Sequence, residues 1–146
     1  MGTDAKAALA KVKPLYDKLP KEKDAPPYLQ ADWKDFLNAS KKYVEELAKV
    51  SDSPETTKAR ASYATKKTEL ATLETTINGA VVKQAAAKTN VQSAYRDIQK
   101  FGNKIGGIVK DTKNEPKAIA LGTAAVFFAT NANSQQQSLD VPPKVP

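Results

Sequence analysis

Two pairs of neighbouring carboxylates are the residues of this 146-residue chain whose spacing comes nearest to catalytic chemistry: Asp32 with Asp35, and Glu45 with Glu46. A catalytic pair needs burial or a nearby like charge to separate its two pKa values, so that one carboxyl keeps a proton while the other is ionised. Both pairs instead stand among lysines on a polar helix face. We therefore interpret them as solvated surface charge beside Lys34, Lys41, Lys42 and Lys49.

The composition excludes most other routes to catalysis. The chain has no His and no Cys, which supply the commonest general base, the thiolate nucleophile and nearly every structural zinc site. The glycine-rich run 102–107 follows no strand and lacks the Gly-Lys-Ser/Thr ending of a phosphate-binding loop, so it indicates close helix packing instead. We expect a non-enzymatic protein with no cofactor and no metal site. The alternative is an enzyme that uses Ser, Thr, Lys or carboxylates alone.

Basic residues are concentrated in one stretch of a chain whose net charge is +7. Between positions 78 and 110 there is one acid, Asp97, among several lysines and an arginine. On a helix most of these bases fall on one arc, which suits an acidic partner protein, anionic lipid head groups or a phosphate backbone. The same arc is also typical of a solvated face that aids solubility. No interleaved aromatic residue or nucleic-acid motif accompanies it, which disfavours nucleic acid. The candidate contacts with a partner protein or an anionic membrane surface are Lys88, Arg96, Lys100 and Lys104.

Hydrophobic spacing predicts an all-α fold, an elongated helical hairpin or bundle built on one long heptad-patterned helix. We expect a single domain over 1–130, followed by an extended, flexible Pro-rich tail over 131–146. Pro14 predicts that the first helix is kinked or in two pieces, and the Pro-rich run 20–27 predicts a linker. The predicted helices cover about residues 4–19, 32–50, 55–110 and 117–130.

Two helix starts carry capping signals. Asp32 is the expected N-cap of the second helix, with Asp35 three residues later. Ser53 is the expected N-cap of the third helix, with Pro54 at its first position.

The third helix has a repeat of seven residues. Apolar side chains recur at this spacing from Tyr63 to Ile105, and a second set lies three residues after each, from position 66 to position 108. Gln84 in the first set and Lys66 in the second are the polar exceptions. If the helix is continuous over 55–110, it is roughly 80 Å long at 1.5 Å per residue. Asn78-Gly79 is a common turn dipeptide, so a hairpin there is the alternative. Because the phase is kept across Gly79, we favour the continuous helix.

The longest apolar run covers Ala118–Thr130. It is shorter than the roughly 20 residues that a membrane span needs, so it predicts a buried helix or, alternatively, a partial insertion into a membrane interface. The adjacent residues Phe127 and Phe128 point about 100° apart on a helix, and one narrow seam does not cover both. We expect part of this run to be exposed, with Val126, Phe127 and Phe128 as apolar contact residues.

These features together predict a structural or interaction subunit of a larger protein assembly, which acts as a helical scaffold or brace for other subunits. The alternative is a peripheral membrane protein that uses the basic arc and the apolar run as two weak anchors. The first residues show no basic-then-apolar signal-peptide pattern, and the compartment stays unassigned. A minimal PxxP, Pro143–Pro146, is either a docking motif or part of an inert tail.

Overall fold

The computed structural model describes residues 4–50, 54–66, 71–112 and 114–145, and within these ranges the chain is all-α, as predicted. Two single-turn 3-10 segments, Glu22–Asp24 and Pro27–Leu29, lie between the first two helices, where a linker was expected. The helices are α1 (Ala5–Asp17), α2 (Gln30–Lys49), α3 (Pro54–Thr65), α4 (Ala71–Lys110) and α5 (Pro116–Ser138).

The longest helix, α4, organises the fold. Helices α2, α5 and α3 all pack against it, and α1 packs against α2 and α5. One face of α4 is buried along much of its length, at positions seven residues apart, because this spacing returns to nearly the same side of a helix. The buried residues at that spacing are Ile77, Gln84, Val91, Ile98 and Ile105.

An aromatic cluster joins α2 to α5 in the core. The rings of Trp33 and Phe36 stack with centroids 5.1 Å apart, and Phe36 meets Phe128 edge-on at 6.2 Å. The indole N–H of Trp33 donates to the carbonyl oxygen of Pro20 at 2.6 Å, which ties the segment between α1 and α2 to the core. Buried Trp needs such an acceptor for its N–H, so this contact fixes the path of the connecting segment.

The prediction of one helix over 55–110 is wrong. Helix α3 ends at Thr65, Lys66 lies outside any helix, and α4 begins at Ala71 and packs against α3. Lys66 lies at a position of the seven-residue repeat where an apolar side chain would pack. Its side chain is exposed, so it adds no apolar contact that would stabilise a continuous helix at this point. The chain does continue as helix across Asn78-Gly79, as favoured from the seven-residue phase.

One prediction at a helix start and one of the two alternatives at Pro14 need correction. Pro14 lies inside α1, which is a single helix, so the two-piece alternative is wrong. Asp32 is not the N-cap of α2, because the 3-10 turn before it lets α2 begin at Gln30, with Leu29 in the capping position. Helix α3 begins at Pro54, as expected, while the predicted cap Ser53 lies outside the described residues.

The predicted extended tail over 131–146 is wrong for residues 131–138, which are helical. Helix α5 continues to Ser138, and residues 139–145 then lie against α3 and α4. Polar composition concealed the helix, but its buried positions keep helical spacing of three or four residues beyond Thr130. These positions are Ala125, Phe128, Ala132, Gln135, Gln136 and Leu139.

Candidate interaction surface

The inner face of α5 belongs to the core. Phe128 is 1% exposed and its ring lies 6.5 Å from that of Tyr16 as well as beside Phe36. The hydroxyl of Tyr43, on α2, donates to the carbonyl oxygen of Ala132 at 2.8 Å. Phe128 was predicted as an apolar contact residue, and the structure corrects this: its side chain is a packing residue of the protein's own core.

The opposite side of α5 exposes apolar side chains to solvent. Val126 is 66% exposed and Phe127 is 58% exposed, and Ile119, two turns before Val126, is 41% exposed. Single exposed apolar residues are normal on protein surfaces, but a contiguous set on one helix marks an interaction site. We call this set the outer face of α5, formed by Ile119, Thr123, Val126, Phe127 and Thr130.

The outer face also lacks charge. From Ala118 to Leu139 the sequence contains no Asp, Glu, Lys or Arg, although 27% of the whole chain is charged. A solvated helix normally carries charged residues on the side opposite the core, and a helix without them is typical of an element buried on both sides.

A groove runs beside the outer face because α4 and α5 approach closely. A Cβ at Gly122 would lie 3.3 Å from Cγ2 of Val109, so the glycine permits this approach. The groove is a shallow, open depression of about 620 Å³, bounded on the α5 side by Val126 and Phe127 and on the α4 side by Val109 and Gly106. A second groove of about 240 Å³ shares Val126 and continues along the same two helices towards Tyr95. Together the grooves can receive apolar side chains from another molecule.

The basic arc is partly used within the fold. The ammonium of Lys88 donates to the carbonyl oxygen of Leu139 at 2.7 Å, and Lys104 lies 3.0 Å from a carboxylate oxygen of Asp32. The hydrogen bond and the charge of Asp32 raise the pKa of Lys104. Arg96 and Lys100 are exposed on α4, with Lys100 5.5 Å from the centre of the Phe101 ring. Of the four predicted contact residues, Lys88 and Lys104 therefore have partners within the fold, and Lys104, Arg96 and Lys100 are exposed to solvent.

The two carboxyls of each acidic pair lie in different surroundings. Asp32 pairs with Lys104, whereas Asp35 is exposed, and buried Glu46 lies 3.2 Å from Lys49, whereas Glu45 is exposed. Neither pair presents two carboxyls to a common cavity. Among the described residues no group of three or more acidic side chains forms a set that could hold a metal ion.

Sequence reasoning missed Asn78 as a contact residue. Its side chain accepts from the backbone N–H of Val145 at 2.7 Å and donates to the carbonyl oxygen of the same residue at 3.2 Å. The sequence signal at Asn78 was that of a turn, and nothing local in the sequence connects it to a segment 67 residues away.

No helix in the described part of the chain is both long enough and apolar enough to cross a membrane, which agrees with the prediction from the short apolar run. Comparison with known proteins finds no matching family model, no matching curated protein and no matching solved structure.

Proposed function

We propose that this protein is a non-enzymatic structural or interaction subunit of a larger protein assembly, and that the outer face of α5 is its contact with another protein. The observation that supports this most directly is the exposure of Val126 and Phe127 on a helix face without charge. Burial of one such side chain contributes roughly 1.5–3 kcal/mol, so a partner that covers both gains a stable anchor.

Helix α4 supplies the brace in this proposal. Its 40 residues span about 60 Å at 1.5 Å per residue. Helices α2 and α5 pack on it, so the outer face of α5 is held on a rigid support. Exposed Arg96 and Lys100 lie along the same helix, and charges at the edge of an interface guide orientation more than they add affinity.

Attachment to a membrane surface is the alternative function. Helices that lie in a membrane interface carry Lys or Arg on their polar side, next to the apolar face. The run from Ala118 to Leu139 has none, and two of the arc lysines, Lys88 and Lys104, are engaged within the fold. The absence of charge from Ala118 to Leu139 favours a protein partner over a lipid surface.

Incorporation into the native assembly tests the proposal. Tagged chains carrying Phe127→Ser or Val82→Ser are expressed in cells of the natural source, and their co-migration with the assembly is compared by size-exclusion chromatography. Val82 is the matched control, because it is an apolar side chain 48% exposed on α4, away from the outer face. We expect Phe127→Ser to be lost from the assembly fraction and Val82→Ser to be retained, with equal helix content by circular dichroism. Retention of both variants contradicts the proposal.

Sedimentation with anionic phospholipid vesicles separates the two functions. If the protein is a subunit of a protein assembly, we expect the isolated chain to stay in the supernatant at physiological ionic strength. Co-sedimentation that disappears at high salt and is lost in Phe127→Ser supports the membrane function instead, since both proposed anchors would then contribute.

A further inference from the structure

The segment after α5 is held in place through its backbone. Residues 139–145, which we call the C-terminal strap, lie extended beside α3 and α4. Lys88 donates to the carbonyl oxygen of Leu139 at 2.7 Å, and Arg60, on α3, donates to that of Pro143 at 3.3 Å. The amide of Asn78 makes the two hydrogen bonds with Val145 described above. Side chains from two helices therefore contact both ends and the middle of the strap.

The hydrogen bonds are made to backbone atoms of the strap, whereas the side chains of Leu139 and Val141 pack in or against the hydrophobic core. The Asn78 amide presents one donor and one acceptor to Val145, as a neighbouring β-strand would. Pro142 and Pro143 have no N–H to satisfy, and their rings hold the chain extended, which lowers the entropy lost on docking. The cleft is therefore complementary to an extended segment with prolines, followed two residues later by a free backbone N–H.

Residues 142–145 of the strap and the helix α3 contribute no described residue to the main hydrophobic core. Leu139 is buried and Val141 is half-buried, but Pro143 and Lys144 are exposed. Segments with few buried apolar contacts open more readily than the rest of a fold.

We propose that the cleft between α3 and α4 is a binding site for extended, proline-containing peptide segments, which the strap occupies within the chain and which a segment of a partner protein takes by displacing the strap. The site shares no described residue with the outer face of α5, so its test is independent of the proposed function.

Nuclear magnetic resonance of the ¹⁵N-labelled full chain tests this site with an acetylated peptide of residues 138–146. The variant Val145→Pro removes the strap's N–H donor while leaving Asn78 in the cleft. We expect this variant to bind the peptide saturably, with shifts of the Asn78 side-chain amide. The wild-type chain needs at least about tenfold more peptide, because a tethered segment competes at an effective concentration in the millimolar range. A peptide carrying the same Val→Pro change should bind at least about tenfold more weakly, having lost its N–H donor.

Two further variants localise the binding. In the Val145→Pro background, Asn78→Leu should abolish peptide binding, whereas Asn90→Leu, an exposed Asn on the same helix, should leave it unchanged. No saturable shifts at millimolar peptide, or equal binding by the Asn78→Leu chain, overturns the proposal.

Hydrogen exchange in the wild-type chain gives a measurement that needs no variant. The Val145 amide should exchange at least about tenfold more slowly than in the free peptide, because Asn78 accepts its proton. Excess peptide should accelerate that exchange, and the Val→Pro peptide should not. An amide without protection, or one unaffected by excess peptide, overturns the proposal as well.

Discussion

Phe127 and Phe128 are consecutive on α5, yet Phe127 is 58% exposed and Phe128 is 1% exposed. Phe128 lies among Phe36 and Tyr16 in the core, and Phe127 borders the groove between α4 and α5. The helix turns by 100° per residue, so one aromatic residue secures the fold while its neighbour is free for another molecule.

Alanine at these two positions should have very different effects on stability. Phe128→Ala removes a buried ring and should lower the free energy of unfolding by about 3–5 kcal/mol. Phe127→Ala should change it by no more than about 0.5 kcal/mol, as is usual for an exposed side chain. Urea denaturation followed by the fluorescence of Trp33 measures both. Equal losses would mean that both rings belong to the core, and the outer face would lose its role.

Gly79 gives a test of helix continuity. The described structure has no glycine at positive φ, Gly79 lies inside α4, and a Cβ there would meet nothing within 4 Å. Gly79→Ala should therefore raise the free energy of unfolding by about 0.5–1 kcal/mol. Gly122→Ala is the matched comparison and should gain less, because its Cβ would press on Val109 at 3.3 Å. Destabilisation by Gly79→Ala would indicate a turn at Asn78-Gly79.

The buried hydroxyl of Tyr43 should make the free energy of unfolding depend on pH in the alkaline range. Burial, with a smaller effect from Tyr95, raises the pKa of its hydroxyl, which donates to the carbonyl oxygen of Ala132. The unfolded chain releases this proton near its ordinary pKa of about 10, while the folded chain keeps it. The folded state thus binds more protons above pH 10, and the contribution of Tyr43 to stability is complete below that pH and falls above it.

The variant Tyr43→Phe isolates this effect. At pH 8 it should be less stable by about 1 kcal/mol, having lost a hydrogen bond. Between pH 8 and pH 11 it should lose about 1.4 kcal/mol less than the wild type, since each pH unit above the unfolded pKa corresponds to about that amount. Urea denaturation at both pH values measures the difference. Parallel losses in the two proteins would show that Tyr43 ionises equally in both states.

The fold class and the buried face of α4 were accessible to sequence reasoning because periodic apolar spacing is a local signal. Ile77, Val91, Ile98 and Ile105 keep the seven-residue phase and are all buried. The end of α3 at Thr65 could not be predicted from the sequence, because the seven-residue spacing of α3 continues in α4 although the two are separate helices. A repeat shows which residues share a side if the helix is continuous, and it does not show that the helix is continuous.

The candidate interaction surface could be predicted in part from the sequence. Val126 and Phe127 followed from the apolar run, and the angle between adjacent residues showed that Phe127 and Phe128 differ in environment. Which of the two faces the core depends on Phe36 and Tyr16, which come from other helices. The strap was missed for the same reason, because its partners Asn78, Lys88 and Arg60 lie far from it along the chain.

The occupancy of the outer face of α5 in the native assembly is the central claim, and hydroxyl-radical footprinting read by mass spectrometry tests it most directly. The isolated chain and the assembly purified from its natural source, with lipid removed by detergent, are oxidised side by side. Val82 is the internal control, because it is 48% exposed on α4 and lines neither of the grooves beside α5. We expect oxidation of Phe127 to fall at least about fivefold in the assembly while that of Val82 stays the same, since burial at an interface excludes water from the anchor side chains. Equal oxidation of Phe127 in the isolated chain and in the assembly would contradict the claim.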